Sequence, residues 1–353
     1  MDAIVVTRDD PTPRVVDRPR PDPGPGEALV RTLRVGVDGT DHEVIAGGHG
    51  GFPDGADSMV LGHEAVGVVE DPNDTDLERG QVVVPTVRRP KDGHTDYFER
   101  GEPDMAPPGE YVERGIDGAD GFMAEYFTSP ADCLVPLPDD LAELGFLVEP
   151  ISITEKAIEL AEASRSTFDW RPESALVLGN GSLGLLTLAM LDDYERTYCL
   201  GRRDRPDPTI DVIEELGATY VDSRETPVAE IPGVHEPMDF VYEATGYAKH
   251  AFDTVHALAP NGVGALLGVP EAGWEFEVAG SDIHRELVLE NKALVGSVNS
   301  GVDHFEAAID TLAGLPDWLT DGVVTGVHGL DDFEAAFRDD ETTIKTAVQF
   351  DSQ

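Results

Sequence analysis

Four short runs rich in β-branched and other apolar residues, at 3–6, 28–33, 65–69 and 81–84, punctuate the first part of the chain, each bounded by proline, glycine or aspartate. Runs of this length between turn formers predict short strands. The stretch 86–121 is polar, passes through Gly93 and Pro107-Pro108-Gly109, and predicts loop. The N-terminal part therefore reads as an irregular β-rich domain. From Ile153 the pattern changes. Residues 154–163 carry a helical period, and units of strand, turn and helix then repeat. Strands are predicted at 175–178, 197–200, 219–221, 240–243, 263–267 and 294–298, and helices at 183–191, 209–216 and 249–258. Strands separated by helices make a parallel sheet covered on both faces, so the fold class is α/β. Mixed structure returns at the end, with helical 304–312 and 333–337 and a strand at 346–350. There is no internal repeat and no low-complexity linker.

Composition adds a solvent to this picture. Of 353 residues, 70 are Asp or Glu and 25 are Lys or Arg, for a formal net charge of -45. The lysines are Lys91, Lys156, Lys249, Lys292 and Lys345. Nucleic acid and anionic membrane surfaces are poor partners for such a chain, because both need a basic face that releases counterions. Disorder is excluded by a 40% hydrophobic content distributed along the whole length. A fold of this mass exposes about 14,000 Å², which gives each net charge roughly 310 Å² and a mean spacing of ~18 Å. Self-repulsion at that spacing is screened far better at the ~3 Å Debye length of about 1 M salt than at the ~10 Å of about 0.1 M. A salt-in halophilic source is expected. Two cysteines, Cys133 and Cys199, are too few for a disulfide framework or a four-cysteine zinc cluster. Residues 1–30 lack a signal pattern and no apolar stretch approaches a membrane span, so a soluble cytoplasmic protein is expected.

Candidate chemistry lies in two places. Gly179-Asn180-Gly181-Ser182-Leu183-Gly184 stands between an apolar strand and an apolar helix. The first glycine permits the tight turn, the second lets backbone approach a pyrophosphate, and the third lets helix and strand pack closely. Where an NAD site usually carries an acid for the ribose 2′-OH, this chain has Gly201-Arg202-Arg203. A small residue and two guanidiniums suit a 2′-phosphate, so NADP is the expected cofactor, with NAD left open by Asp204. The second place is Asp38-Gly39-Thr40-Asp41-His42, Gly62-His63-Glu64 and Glu149-Pro150. Carboxylates and an imidazole suit Zn²⁺, but each segment has an ordinary reading as turn, core histidine or helix start. Spacing alone does not assemble ligands so far apart.

In order, Pro23-Gly24-Pro25-Gly26-Glu27, the segment from Gly36 to His42, Gly62-His63-Glu64-Ala65-Val66-Gly67 and the late glycine loop resemble the zinc-dependent medium-chain dehydrogenase family. Within it, the chain is most similar to the glucose dehydrogenases of halophilic archaea, over essentially its whole length. The resemblance implies a GroES-like β-rich catalytic domain at 1–153, a Rossmann domain with a doubly wound parallel sheet at 154–297, and a C-terminal part, 298–353, returning to the catalytic domain, with a cleft between the domains. It implies one catalytic Zn²⁺ held by Asp38, His63 and Glu149, the last directly or through water, with Glu64 close enough to exchange. Thr40, Glu113, Glu149 and Asn299 would meet the sugar hydroxyls. Cofactor contacts would come from Gly179, Asn180, Gly181, Ser182, Leu183 and Gly184, from Arg202 and Arg203, from Leu267, Gly268 and Val269, and from Ser297, Val298 and Asn299.

The implied reaction oxidises β-D-glucose at C1 to D-glucono-1,5-lactone, with hydride passing to NADP⁺ or NAD⁺. The proton would leave through Glu149 or a zinc-bound water, or through Thr40 and the cofactor ribose towards His42. A homodimer through the edges of the nucleotide-binding sheets is also implied. Two departures stand out. Most relatives carry Cys where this chain has Asp38, so the metal meets a harder ligand. The structural zinc common in the family needs four cysteines, and 89–113 contains none, so that zinc is expected to be absent. Two rival functions fit the same motifs: a zinc dehydrogenase of this fold acting on another aldose or a polyol, and a catalytically silent NADP-binding protein.

Overall fold

The computed structural model describes residues 1–351 apart from Asp92, His94 and Asp339. Parts of the predicted 86–121 loop and of the 298–353 segment thus lie outside the described residues, as do positions 352 and 353. The chain divides into two compact units, Met1–Ser152 with Asn299–Gln353, and Ile153–Val298.

The first unit is built around the strand Glu27–Val37, eleven residues long and buried along most of its length. Glu64–Asp71 pairs antiparallel with one edge of it, placing Glu64 opposite Gly36. Lys345–Gln349 pairs antiparallel with the other edge, placing Thr346 opposite Val37. Val82–Pro85, whose residues are all buried, extends the sheet beyond Glu64–Asp71. Tyr126–Pro130 also pairs with the central strand. A second sheet joins Arg14–Asp17, Asp2–Thr7 and Ser58–Val60. Ile4, Val30, Val35, Met59, Leu61, Phe122 and Met123 fill the core between these strands.

The polar stretch 86–121 departs from its predicted loop. It holds a small sheet of Arg88–Pro90, Tyr111–Arg114 and Gly118–Ala119, with one helical turn at Asp96–Glu99. Polar residues order here because Arg88 and Arg89 are buried and find carbonyl and carboxylate acceptors within the stretch, although the Arg89 Nε has no partner among the described residues. Arg88 donates to Glu113 and to the Asp104 carbonyl, both at 2.9 Å, and stacks 3.7 Å over the Tyr111 ring. Arg89 donates to the carbonyls of Thr86 and Arg88, both at 2.8 Å. The helical stretch expected at 333–337 is instead a 3₁₀ segment, Leu330–Ala335.

The second unit is a six-stranded, all-parallel sheet. Its spatial order is Thr219–Asp222, Arg196–Gly201, Ser174–Leu178, Met238–Glu243, Leu258–Leu266 and Ala293–Gly296. This is the doubly wound dinucleotide order, in which the chain moves outward through its first three strands and then crosses back to continue on the other side of the first. Leu176, Leu178, Leu200, Met238 and Val241 form a core on it. Their near-continuous apolar runs are what a strand covered on both faces requires. The last strand ends at Gly296, short of the predicted 298. Among the described residues no helix is long and apolar enough to cross a membrane.

Candidate active site

Asp38 opens the helix Gly39–Ala46 as its N-cap. Its Oδ1 accepts the Asp41 N–H at 3.1 Å, and the Asp41 carboxylate accepts the Asp38 N–H in return, also at 3.1 Å. This satisfies donors that the first helical turn would otherwise leave bare. His63 follows Gly62, whose φ of 85° and close approach to Met123 and Val35 admit no side chain. The turn delivers His63 and Glu64 to the start of the strand Glu64–Asp71. Asp38, His63 and Glu64 present ligand atoms within 4.8 Å of one another. His63 Nε2 lies 3.7 Å from Asp38 Oδ2, and His63 Nδ1 lies 3.9 Å from Asp41 Oδ1. His63 Nδ1 and Asp41 Oδ1 are buried and have no hydrogen-bond partner among the described residues. Unpartnered buried atoms beside a tight nitrogen and oxygen donor set suit a borderline divalent cation such as Zn²⁺.

The strand register explains a partner that sequence reading missed. Lys345 and Glu64 enter from opposite sides of the central strand beside Gly36, and their side chains form an ion pair, each only 1% exposed. A Cβ at Gly36 would fall 2.1 Å from Glu64 Oε2, so the glycine keeps the space in which the pair meets. The one available signal was compositional: a lysine in an apolar strand of a chain with so few lysines.

The charges of this pocket are out of balance. Burial pushes the Asp41 carboxyl up to about 7, with Asp38 and Glu64 adding to the rise and His63 opposing it. Burial likewise raises Glu149 to about 8, again opposed by His63 and supported by Glu64 and Asp38. Burial also works against the Asp38 charge, but the His63 imidazolium holds that carboxyl far below its ordinary range. His63 rises well above an ordinary imidazole, because the charges of Asp38, Asp41 and Glu149 outweigh its desolvation. Four carboxyls thus share one histidine and one lysine, an excess of negative charge that a divalent cation relieves.

The remaining predicted residues of this unit fall as follows. Glu149 is buried in the first turn of the helix Val148–Ala163, electrostatically coupled to the cluster but outside the group of three. Thr40 lies in the first turn of the helix that Asp38 caps. His42, in that helix, meets Phe337 edge to face. Glu113 is held by Arg88. Asn299 is buried in a left-handed conformation, φ 56°, and donates to the Ser300 carbonyl at 3.1 Å.

In the second unit a cavity of about 870 Å³ is lined by Gly179, Asn180, Gly201, Arg202 and Arg203. Arg224, Thr245, Tyr247, Lys249 and His250 also line it and were not foreseen. Gly179 has φ 112°, and a Cβ at Gly184 would fall 1.9 Å from the Gly179 carbonyl oxygen. Gly181 has open space in front of it. Ser182 and Leu183 begin the helix Ser182–Met190, whose first N–H groups are suited to a phosphate. Asp204, the acid that left NAD open, is engaged by Arg224. Leu267, Gly268, Val269, Ser297 and Val298 are not among the residues of this cavity. The Leu267 and Gly268 N–H groups donate to the Glu243 carbonyl, and Val269 packs against Gly246. The Ser297 hydroxyl is buried with no hydrogen-bond partner among the described residues, and the Val298 carbonyl accepts from Lys156.

Comparison with known proteins meets this geometry. Residues 24–139 match the alcohol dehydrogenase GroES-like domain, and residues 142–350 match the glucose dehydrogenase C-terminus. The glucose 1-dehydrogenases of Halobacterium salinarum and Haloarcula marismortui are 74% and 68% identical to the chain, with the whole of each protein covered. The solved structure of Haloferax mediterranei glucose dehydrogenase in complex with NADP, Zn and gluconolactone matches with a TM-score of 0.99 at 68% identity, over the full length of both chains. At 23% identity, 2R,3R-butanediol dehydrogenase from Bacillus subtilis shares the fold, with a TM-score of 0.80 and 99% of each chain covered. The two domain types and the histidine–carboxylate cluster define a zinc-dependent medium-chain dehydrogenase. Within that class, the chain belongs to the glucose dehydrogenase family.

Proposed function

We propose that this chain is a glucose 1-dehydrogenase, oxidising β-D-glucose at C1 to D-glucono-1,5-lactone and reducing NADP⁺ to NADPH with release of one proton. The observation that carries the reading is the Asp38, His63 and Glu64 cluster, present in a chain 68% identical over its full length to an enzyme solved with NADP, Zn and gluconolactone. When bound, Zn²⁺ supplies a Lewis acid that lowers the pKa of the C1 hydroxyl, and the nicotinamide supplies the hydride acceptor.

The chain's residues do the rest. Asp38, His63 and Glu149 hold the metal, and Lys345 holds Glu64 beside it as a ligand in reserve. Glu149, a buried carboxylate beside the cluster, takes up the hydroxyl proton; Thr40 and His42 form the other route. Glu113, steadied by Arg88, together with Glu149 and Asn299, receives the sugar hydroxyls. Arg202 and Arg203 receive the 2′-phosphate, and the glycine loop with Ser182 and Leu183 receives the pyrophosphate. Leu267, Gly268, Val269, Ser297 and Val298 complete the cofactor contacts. In this reading 1–153 and 298–353 form the catalytic domain and 154–297 the nucleotide-binding domain. The strand Ala293–Gly296, which lies at one edge of the parallel sheet, supports a homodimer formed through these sheets, and the protein works in the cytoplasm.

Initial rates of NADPH formation in molar KCl on glucose, galactose, xylose and sorbitol test the reading, before and after chelation. The expected outcome is that glucose is fastest, and that chelation abolishes activity which added Zn²⁺ restores. A higher kcat/KM on sorbitol or xylose would point to another aldose or a polyol. Cofactor binding without NADPH formation would mark a silent relative.

A further inference from the structure

The nucleotide cavity has three arginines in unequal circumstances. Arg203 lies 3.9 Å from the buried Asp207, which caps the helix Pro208–Glu215. Arg224 grips two carboxylates at once. It donates to Asp222 through Nε at 2.9 Å and Nη2 at 2.5 Å, and to Asp204 through Nη2 at 2.6 Å and Nη1 at 3.2 Å. Arg202 has no ion-pair partner among the described residues, although Asp222 is near enough for their charges to interact. In concentrated salt, fields beyond the ~3 Å Debye length at about 1 M are screened, so acids reach the cofactor's arginines chiefly by direct contact. A planar fork is the side chain suited to occupying two such acids together.

We propose that Arg224 is a positioning residue for cofactor choice: by engaging Asp204 and Asp222 it leaves Arg202 available to the 2′-phosphate of NADP⁺, and keeps Asp204 from accepting a hydrogen bond from the ribose of NAD⁺. The proposal rests on reading this cavity as the NADP⁺ site. Without Arg224, Asp222 recruits Arg202 and Asp204 is freed, so preference moves away from NADP⁺ through residues other than the one replaced.

The test measures Kd for NADP⁺ and NAD⁺ by calorimetry in molar KCl, with kcat and KM on glucose, for folded variants checked by thermal melting. Arg224→Gln is expected to weaken NADP⁺ about tenfold, the scale of one lost charge-assisted hydrogen bond, with NAD⁺ unchanged or tighter and kcat within about twofold. Adding Asp204→Asn and Asp222→Asn to Arg224→Gln is expected to return NADP⁺ affinity to within about threefold. Equal weakening of both cofactors would overturn the proposal. So would failure of the added substitutions to restore affinity, which is the result if Arg224 itself touches the phosphate. If Arg224→Gln does not fold, Arg224→Lys, which keeps the charge without the fork, carries the same comparison. Arg202→Gln separates the two levels: no change in the NADP⁺ to NAD⁺ ratio sinks the cavity reading, whereas a change there with none in Arg224→Gln sinks only the proposal.

Discussion

Replacing Lys345 by methionine should be among the most damaging single changes in the first unit, although methionine is apolar and similar in length. Lys345 and Glu64 are each only 1% exposed, so the substitution strands a carboxylate that cannot reach water. Asp38 lies close enough to raise the cost further. Breaking a buried pair by removing one partner costs about 3–5 kcal/mol, which at ~2–4 °C per kcal/mol is a fall in Tm of roughly 6–20 °C. The deficit should depend on pH with a definite sign. Burial already raises the Glu64 carboxyl, and loss of the lysine raises it further, so the folded variant holds a proton that the unfolded chain releases. Stability is then greatest below the ordinary carboxylate pKa and declines as pH rises through the folded-state value. The variant should be closest to wild type under acid conditions and worst above neutrality. The assay is thermal unfolding followed by circular dichroism in molar KCl, with chelator present so that no cation substitutes for the lysine. The double variant Lys345→Met with Glu64→Leu removes both charges and should recover to within about 1 kcal/mol of wild type, as buried pairs replaced by apolar residues commonly do. A single-variant loss below about 1 kcal/mol, or a double variant no better than the single, would refute the assignment of this pair as a mutually dependent buried unit.

Gly184→Ala places a methyl 1.9 Å from the Gly179 carbonyl oxygen, so it should cost about 1–3 kcal/mol and displace the phosphate loop. Calorimetry showing unchanged NADP⁺ affinity would contradict that placement. Burial pushes the Cys199 thiol up to about 12, so raising pH from neutrality to mildly alkaline conditions should leave it inert. A disulfide reagent should therefore count one reactive thiol, the partly exposed Cys133, in the folded protein and two after unfolding. Melting temperature should climb as KCl rises from dilute to molar, because 45 uncompensated negative charges repel one another least when screened. An indifferent Tm would remove the halophilic reading.

The second unit was legible because its strands are fully covered, and covered strands write themselves as apolar runs separated by helical periods. The first unit was less so, for identifiable reasons. Arg88 and Arg89 organise the 86–121 stretch through carbonyls, and such bonds leave no period in the sequence. The helix Gly39–Ala46 buries only Asp41 and Val44, too little to show an apolar stripe. In the site, Asp38, His63 and Glu64 carried visible motifs, whereas Lys345 reaches them only through strand pairing across the central strand. Arg224 was similarly hidden. Nothing around it looks like a cofactor motif, and its place in the cavity follows from where the strand Thr219–Asp222 ends.

The two oxygens of Asp38 face different obligations. Oδ1 starts a helix by accepting the Asp41 N–H, while Oδ2 faces His63. Each simple replacement keeps only one of these. Asparagine would still cap the helix but lose the charge, and cysteine would still offer an anionic ligand but lose the cap, at about 0.5–2 kcal/mol. A change of ligand type at position 38 is therefore not a single-site event. It also removes the side-chain cap of the helix Gly39–Ala46, so the identity of the ligand and the stability of the opening turn behind it change together.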